Sequence, residues 1–220
     1  MLPFLIASCA VCVGLYLYTE TNSRSMAALL LKTLSSLSFV FIGLINRNDL
    51  YISKFIILGL IFGFIADILV NLRYIFRNHK QLIHLTGVFF FLLGHIVYLI
   101  AVSKISEALP FLLIIGIIIS IFIIKIIYKN TNVDKAVRIA GIIYIEVLTL
   151  LNAVAIGNFI LSPTLFEGVF ALGTFLFLIS DILLMLNTFG SKKKRSVRVI
   201  HISIYYVGQM LIALSLGLLK

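Results

Sequence analysis

The chain has 220 residues, of which 62% are hydrophobic and 12% charged, with a formal net charge of +10. A soluble domain carries about 25% charged residues and is roughly half apolar, so a water-soluble globule is excluded and the apolar surplus has to face lipid. A helix needs roughly 20 mostly apolar residues to cross about 30 Å of hydrocarbon. Eight such stretches are predicted, at 2–18, 26–46, 55–72, 81–103, 109–128, 136–161, 166–187 and 197–219. The joins between them are short and polar and leave no room for a soluble domain.

The first stretch has no Lys or Arg before its apolar run and only eight residues before Cys9. It reads as a spanning helix rather than a secretory or lipoprotein signal. Cys9 and Cys12 form a C-x-x-C inside that helix with no other thiol or histidine near them, and are assigned to packing. The second stretch carries Lys32, the third Asp67 and Asn71, and the fourth His84, His95 and Tyr98. The fifth, LPFLLIIGIIISIFIIKIIY, is the plainest span. The sixth holds Tyr144 and Glu146, the seventh Asp181 and Asn187, and the eighth His201, Tyr205, Tyr206 and Gln209.

With alternating loops, 14 basic residues fall on one side: Arg24, Lys32, Arg73, Arg77 and Lys80, then Lys125, Lys129, Lys135 and Arg138, then Lys192, Lys193, Lys194, Arg195 and Arg198. Only 4 fall on the other, Arg47, Lys54, Lys104 and Lys220. The positive-inside rule places the basic loops in the cytoplasm and both termini opposite. The run SKKKRSVR at 191–198 lies between two spans. It is therefore read as a topology signal that touches anionic headgroups, not as a nucleic-acid site.

A self-match runs at an offset of 114 residues, aligning GLIFGFIADILVNL (59–72) with GTFLFLISDILLML (173–186). It pairs Gly59 with Gly173 and Asp67 with Asp181, and one helix later Gly94 with Gly208. The matched spans lie four helices apart and so run in the same direction. The fold expected is an all-α integral membrane protein of about eight transmembrane helices, one polytopic domain with halves 1–107 and 108–220 related by an axis along the membrane normal. Such an axis sets both aspartates at one depth, about six residues or roughly 9 Å from the cytoplasmic helix ends.

An ionisable residue inside a span costs roughly 2.5–3.5 kcal/mol or more, which makes Asp67, Glu146 and Asp181 functional candidates. Lys32, Asn71, His84, Tyr144, Asn187, His201, Tyr205 and Tyr206 are expected at a similar depth, Gln209 deeper, and His95 and Tyr98 in the outer half. Hydrogen bonds between helices account for many such polar groups, and an ion pair of an aspartate with Lys32 or a histidine is the structural alternative. No ligand spacing supports a metal, and no phosphate loop or nucleophile elbow is present.

The polar segments resemble the YhhN transmembrane family, which includes the lysoplasmalogenases. GLIFGFIADILVNL and HLTGVFFFLLGHIVYLIAV are similar to its first aspartate segment and to a following helix with a His-x2-Tyr pattern, here Gly94, His95 and Tyr98. LKTLSSL carries its lysine at Lys32, GIIYIEVLTLLNA its tyrosine at Tyr144, and GTFLFLISDILLMLNTF its second aspartate at Asp181 with Asn187. IYYVGQMLIALSLG matches its closing Tyr-Tyr-x2-Gln at Tyr205, Tyr206 and Gln209. Ala66 stands where the family has Gly, and Thr33 where Pro commonly follows the lysine. Neither change removes a titratable group.

The resemblance implies hydrolysis of the vinyl ether of a lysoplasmalogen drawn from the bilayer, with no cofactor. That reaction needs an acid to protonate the alkene carbon and an anion near the oxocarbenium ion. Two close carboxylates in a low-dielectric site share one proton and supply both, as in glycosidases. Asp67 and Asp181 are expected in these roles. Lys32 is expected at the lipid phosphate, and Tyr144, Tyr206, His84 and Gln209 around water or glycerol hydroxyls. A proton-coupled transporter or lipid-binding protein would use the same acids. Pro3, Pro110 and Pro163 all sit near predicted helix ends, which favours a static cavity over alternating access.

Overall fold

A computed structural model describes residues 2–23, 26–131, 133–191 and 193–219. Arg24, Lys192 and Lys220 of the charge tally lie outside the described residues. Eight long helices are present among those described: α1 (Leu2–Ser23), α2 (Met26–Ile45), α3 (Tyr51–Leu72), α4 (Lys80–Ser103), α5 (Leu109–Lys129), α6 (Lys135–Leu161), α7 (Leu165–Phe189) and α8 (Arg195–Ser215). All eight are long and apolar enough to cross a membrane. Their bounds lie within a few residues of the expected spans. α1 runs on through its polar end to Ser23, and α3 starts at Tyr51 with Lys54 in its first turn, where a long aliphatic stem can carry the charge out to the interface.

Lipid gives helices no hydrophobic reason to associate, so small residues that admit a close neighbour decide where they meet. On α3 the buried stripe Ile56, Gly59/Leu60, Gly63, Ala66/Asp67 and Asn71 recurs every three to four residues. One side of the helix is therefore turned inward, with Asp67 on it. On α7 the stripe Phe170, Gly173/Thr174, Phe177/Leu178 and Ser180/Asp181 does the same for Asp181. α7 is started sharply by a capping box between Thr164 and Glu167, each side chain accepting from the other residue's backbone N–H.

The helices pack as α3 on α4 and α7 on α8; α6 bridges the two pairs by packing on α4 and α7, and α2 by packing on α3 and α8. The 114-residue offset carries the contacts of one pair onto the other. A Cβ on Gly94 would lie 3.2 Å from the Gly59 carbonyl and 3.5 Å from Phe62; one on Gly208 would lie 2.8 Å from the Gly173 carbonyl and 3.5 Å from Leu176. Gly59 faces Tyr98 as Gly173 faces Ile212. α1 and α5 bury the smallest shares of their spans and lie at the periphery. Cys9 is buried, its thiol 3.5 Å from the Ser35 carbonyl, and neither cysteine forms a disulfide.

At one end the connection between α2 and α3 meets the segment that follows α8, where the Asn48 side-chain amide donates to the Leu219 carbonyl at 3.1 Å. The other end holds the basic connections, two of them tied by a single bridge between Thr131 and Gly190.

Candidate functional site

A cavity of about 540 Å³ opens among the helix ends on the basic side of the bundle. Both Asp67 and Asp181 line it, although each is almost fully buried. Asp181 lies eight residues before the end of α7 and Asp67 five before the end of α3. α7 continues past Leu186, the position that matches the end of α3, and this lengthens one wall of the cavity.

Asp67 is surrounded by donors. The Lys32 ammonium is 2.9 Å from Oδ1. The Ser36 hydroxyl donates to Oδ2 at 2.5 Å and the Tyr205 hydroxyl at 2.6 Å. Tyr206 supports this group at one remove, its hydroxyl 3.1 Å from Ser36 Oγ. The Lys32–Asp67 pair answers the cost of burying either charge alone. This is the ion pair with Lys32 that the sequence offers as the structural alternative for an aspartate; Lys32 and Ser36 are four residues apart on α2 and so project from one face onto the same carboxylate.

Asp181 has different company. The Tyr144 hydroxyl donates to its Oδ2 in a very close contact. No Lys or Arg among the described residues forms an ion pair with it. Tyr144 is in turn 3.0 Å from His95 Nε2. The His95 ring packs edge-on against Phe177 at 4.6 Å, and its Nδ1 is buried with no hydrogen-bond partner. With Tyr144 giving its proton to Asp181, His95 carries its own on Nε2 and donates to the Tyr144 oxygen. His95 was expected apart from the site, in the outer half; it lies directly beneath Tyr144 and fixes it.

The mouth is basic. Arg73 caps the end of α3, and its guanidinium donates to His84 Nδ1 at 2.7 Å and to the Tyr74 hydroxyl at 2.8 Å. An arginine has no acceptor, so His84 carries its proton on Nε2. Arg198, in the first turns of α8, donates to the same Tyr74 oxygen at 3.1 Å. Burial pushes the Tyr74 phenol up, but the guanidiniums of Arg73 and Arg198 outweigh it and hold the group below its ordinary value. Lys193, Lys194 and Arg195 complete the rim.

The remaining expected residues divide. His84, Asn71, Asn187, His201, Tyr144, Tyr205 and Tyr206 line the cavity with Lys32. Two of these amides already have partners. Asn71 accepts from the Tyr16 hydroxyl at 3.4 Å and donates to the Ala28 carbonyl at 3.4 Å, and Asn187 accepts from the Lys194 backbone N–H at 2.7 Å. Glu146 and Gln209 are not among the lining residues. Glu146 follows Tyr144 by two positions, about 200° around a helix of 3.6 residues per turn, and is only half-buried. Gln209 sits a turn below Tyr205, against Gly63 and the Tyr98 hydroxyl. Ser36, Arg73, Tyr74 and Arg198 were not foreseen as site residues. Among the described residues no three of His, Cys, Asp and Glu gather in a way that would hold a metal ion.

Fold and site together define a multi-pass helical membrane protein with a polar cavity built around two buried aspartates. The chain belongs to the YhhN family, whose model matches residues 27–216. Every cavity residue but Tyr16 falls inside that match. Neither curated proteins nor solved structures give a match.

Proposed function

We propose that the protein is a lysoplasmalogenase, which hydrolyses the vinyl ether of a single-tailed plasmalogen to a fatty aldehyde and a glycerophospho head group. One observation carries this reading: two buried aspartates line one cavity in unequal company. Asp67, paired with a cation and given two hydroxyl hydrogen bonds, is built to be a carboxylate. Asp181, with a phenol and no cation, is the group suited to hold a proton.

The steps follow from that division. Asp181 gives its proton to the outer alkene carbon, and the cation left on the carbon bonded to oxygen is stabilised by the Asp67 carboxylate. Tyr144, held by His95, stays in place to donate to the Asp181 carboxylate left behind. Water adds to the oxocarbenium carbon and returns a proton to Asp181. The hemiacetal then collapses to aldehyde and alcohol, so that one water is consumed and the acid is regenerated. Because the cavity lies among helix ends, a tail can remain in the bilayer while the ether reaches the acids.

The same reading takes residues 1–107 and 108–220 as repeat halves, supported by the matched glycine contacts. It sets the basic end in the cytoplasm and both termini opposite, supported by the positive-inside rule. The test is aldehyde release by purified protein in detergent, from a vinyl-ether lysolipid and from its ester-linked counterpart. Release from the vinyl ether alone is expected. No aldehyde from folded protein between pH 5 and pH 8 would remove the activity and leave transport or lipid binding as the use of the cavity.

A further inference from the structure

Lys32 is the cation nearest the acids, and its partner is Asp67 at 2.9 Å. A charged head group must therefore find its counter-charge elsewhere, and the cavity mouth offers it in a specific geometry. Arg73 at the end of α3 and Arg198 near the start of α8 are far apart in the sequence and turn their guanidiniums onto one oxygen, the Tyr74 hydroxyl, at 2.8 and 3.1 Å. His84 holds the Arg73 fork from the other side at 2.7 Å. The Nε of Arg73 is buried and has no hydrogen-bond partner.

Arg73 spends its fork on two uncharged acceptors, the His84 ring and the Tyr74 phenol, and its Nε on none. Hydrogen bonds from arginine to an anionic oxygen are roughly twice as strong as neutral ones, and a planar fork matches phosphate geometry where a lysine offers only a point charge. The acids that line the cavity lie deeper, and Asp67 is already matched by Lys32. Among the described residues that line the cavity, Asp67 and Asp181 are the only carboxylates.

We propose that Arg73 and Arg198 form a phosphate-binding site at the cavity mouth, which takes the phosphate of a single-tailed glycerolipid in place of the Tyr74 hydroxyl. Resting on the vinyl-ether reading above, this gives the substrate its register. Arg73 follows Asp67 by six residues, roughly 9 Å along a helix. The five to seven bonds that separate a lipid phosphate from an ether carbon across glycerol cover about 6–8 Å when extended, at the advance per bond of a polypeptide backbone. A phosphate anchored at the fork thus sets the ether beside the aspartates, and Tyr74 keeps the two arginines aligned while the site is empty.

The test is binding, measured by calorimetry on the detergent-purified full chain, so that it does not depend on turnover. The probes are a saturated alkyl-ether lysophosphoethanolamine, which cannot be hydrolysed at a vinyl ether, the matching alkylglycerol without phosphate, and inorganic phosphate. The phosphate-bearing lipid is expected to bind at least about tenfold more tightly than the alkylglycerol. Arg73→Gln and Arg198→Gln should each remove most of that preference and leave alkylglycerol binding unchanged. Arg73→Lys, which keeps the charge and loses the fork, should retain part of it and guards against a folding defect in the Gln variant. Competition by inorganic phosphate that also depends on Arg73 would support the site and make free phosphate a second source of the anion. Equal affinity for the two lipids, or a preference that survives in both Gln variants, would overturn the proposal. Preference without aldehyde release from a vinyl ether would leave this site standing and defeat only the catalytic reading, whereas aldehyde release without preference would do the reverse.

Discussion

The α3–α4 and α7–α8 pairs each carry a buried aspartate beside equivalent glycine contacts, and surround it differently. Gly59 with Gly94 and Gly173 with Gly208 bring α3 onto α4 and α7 onto α8 through equivalent contacts. At the positions around the acids the correspondence fails. The 114-residue offset relates Lys32 to Glu146, Ser36 to Leu150, Phe91 to Tyr205, and Tyr144 to Leu30. Asp67 thus receives a lysine and a serine from α2 and Tyr205 from α8. Asp181 receives a tyrosine from α6, braced by His95 of α4. Small residues that set helix approach are shared, while the hydrogen-bond donors and the cation around the acids are not, so similar helix pairs give the two aspartates unlike surroundings.

The comparison can be broken first through stability. Asp67→Asn leaves Lys32 buried without its counter-charge, a loss of about 3–5 kcal/mol that should lower the melting temperature on the order of 10 °C. Asp181→Asn removes no ion pair and should melt close to the parent protein. The double variant Lys32→Met with Asp67→Asn should regain most of the lost stability, since replacing both members of a buried pair is often near neutral. Equal melting of the two single Asn variants would contradict the asymmetry.

Tyr144→Phe should lower turnover about 10- to 100-fold, as expected for a hydrogen bond to a charged group, with little change in melting. Its kinetics separate the Asp181 environment from that of Asp67. The glycine pairs sharpen the packing side. A Cβ at position 208 falls 2.8 Å from a backbone oxygen and one at 94 falls 3.2 Å from its counterpart. Gly208→Ala should therefore destabilise more than Gly94→Ala, within the roughly 1–3 kcal/mol of an overpacked contact.

The smallest effect is at the mouth. The Tyr74 phenol, held down by Arg73 and Arg198, should ionise at lower pH than an ordinary tyrosine, read as a tyrosinate absorbance step missing in Tyr74→Phe. The sign for stability follows from a depressed acid. Its contribution is present above the unfolded value of about 10, disappears as pH falls through the folded value, and is absent near neutrality. A difference between parent and Tyr74→Phe that is largest at pH 7 would contradict the fork geometry.

Much of this was legible in the sequence, for reasons that also explain the rest. Hydropathy located all eight spans because lipid accepts little else, and the glycine and aspartate coincidences at one offset pointed to Asp67 and Asp181. Helical periodicity states which face a residue occupies but not what stands opposite. Ser36 and Tyr205 meet on one carboxylate from helices distant in the chain, and no local pattern announces that. Glu146 was grouped with Tyr144 by depth, yet a separation of two positions turns them to different faces. Arg73 and Arg198 were absorbed by the topology rule, which accounts for a basic residue near a helix end without asking what its side chain touches. Arg198 reaches Tyr74 from a helix far along the chain, and no local sequence pattern announces that contact.

The most direct measurement is aldehyde release from a vinyl-ether lysolipid by Asp67→Asn and Asp181→Asn, each compared with the parent chain at temperatures where all three are folded. The account expects both to lose activity by about 10²–10⁴-fold, the scale of a missing acid or its partner anion, with the Asp181→Asn protein as stable as the parent. Turnover retained near the parent rate in either variant would contradict the division of work between the two aspartates.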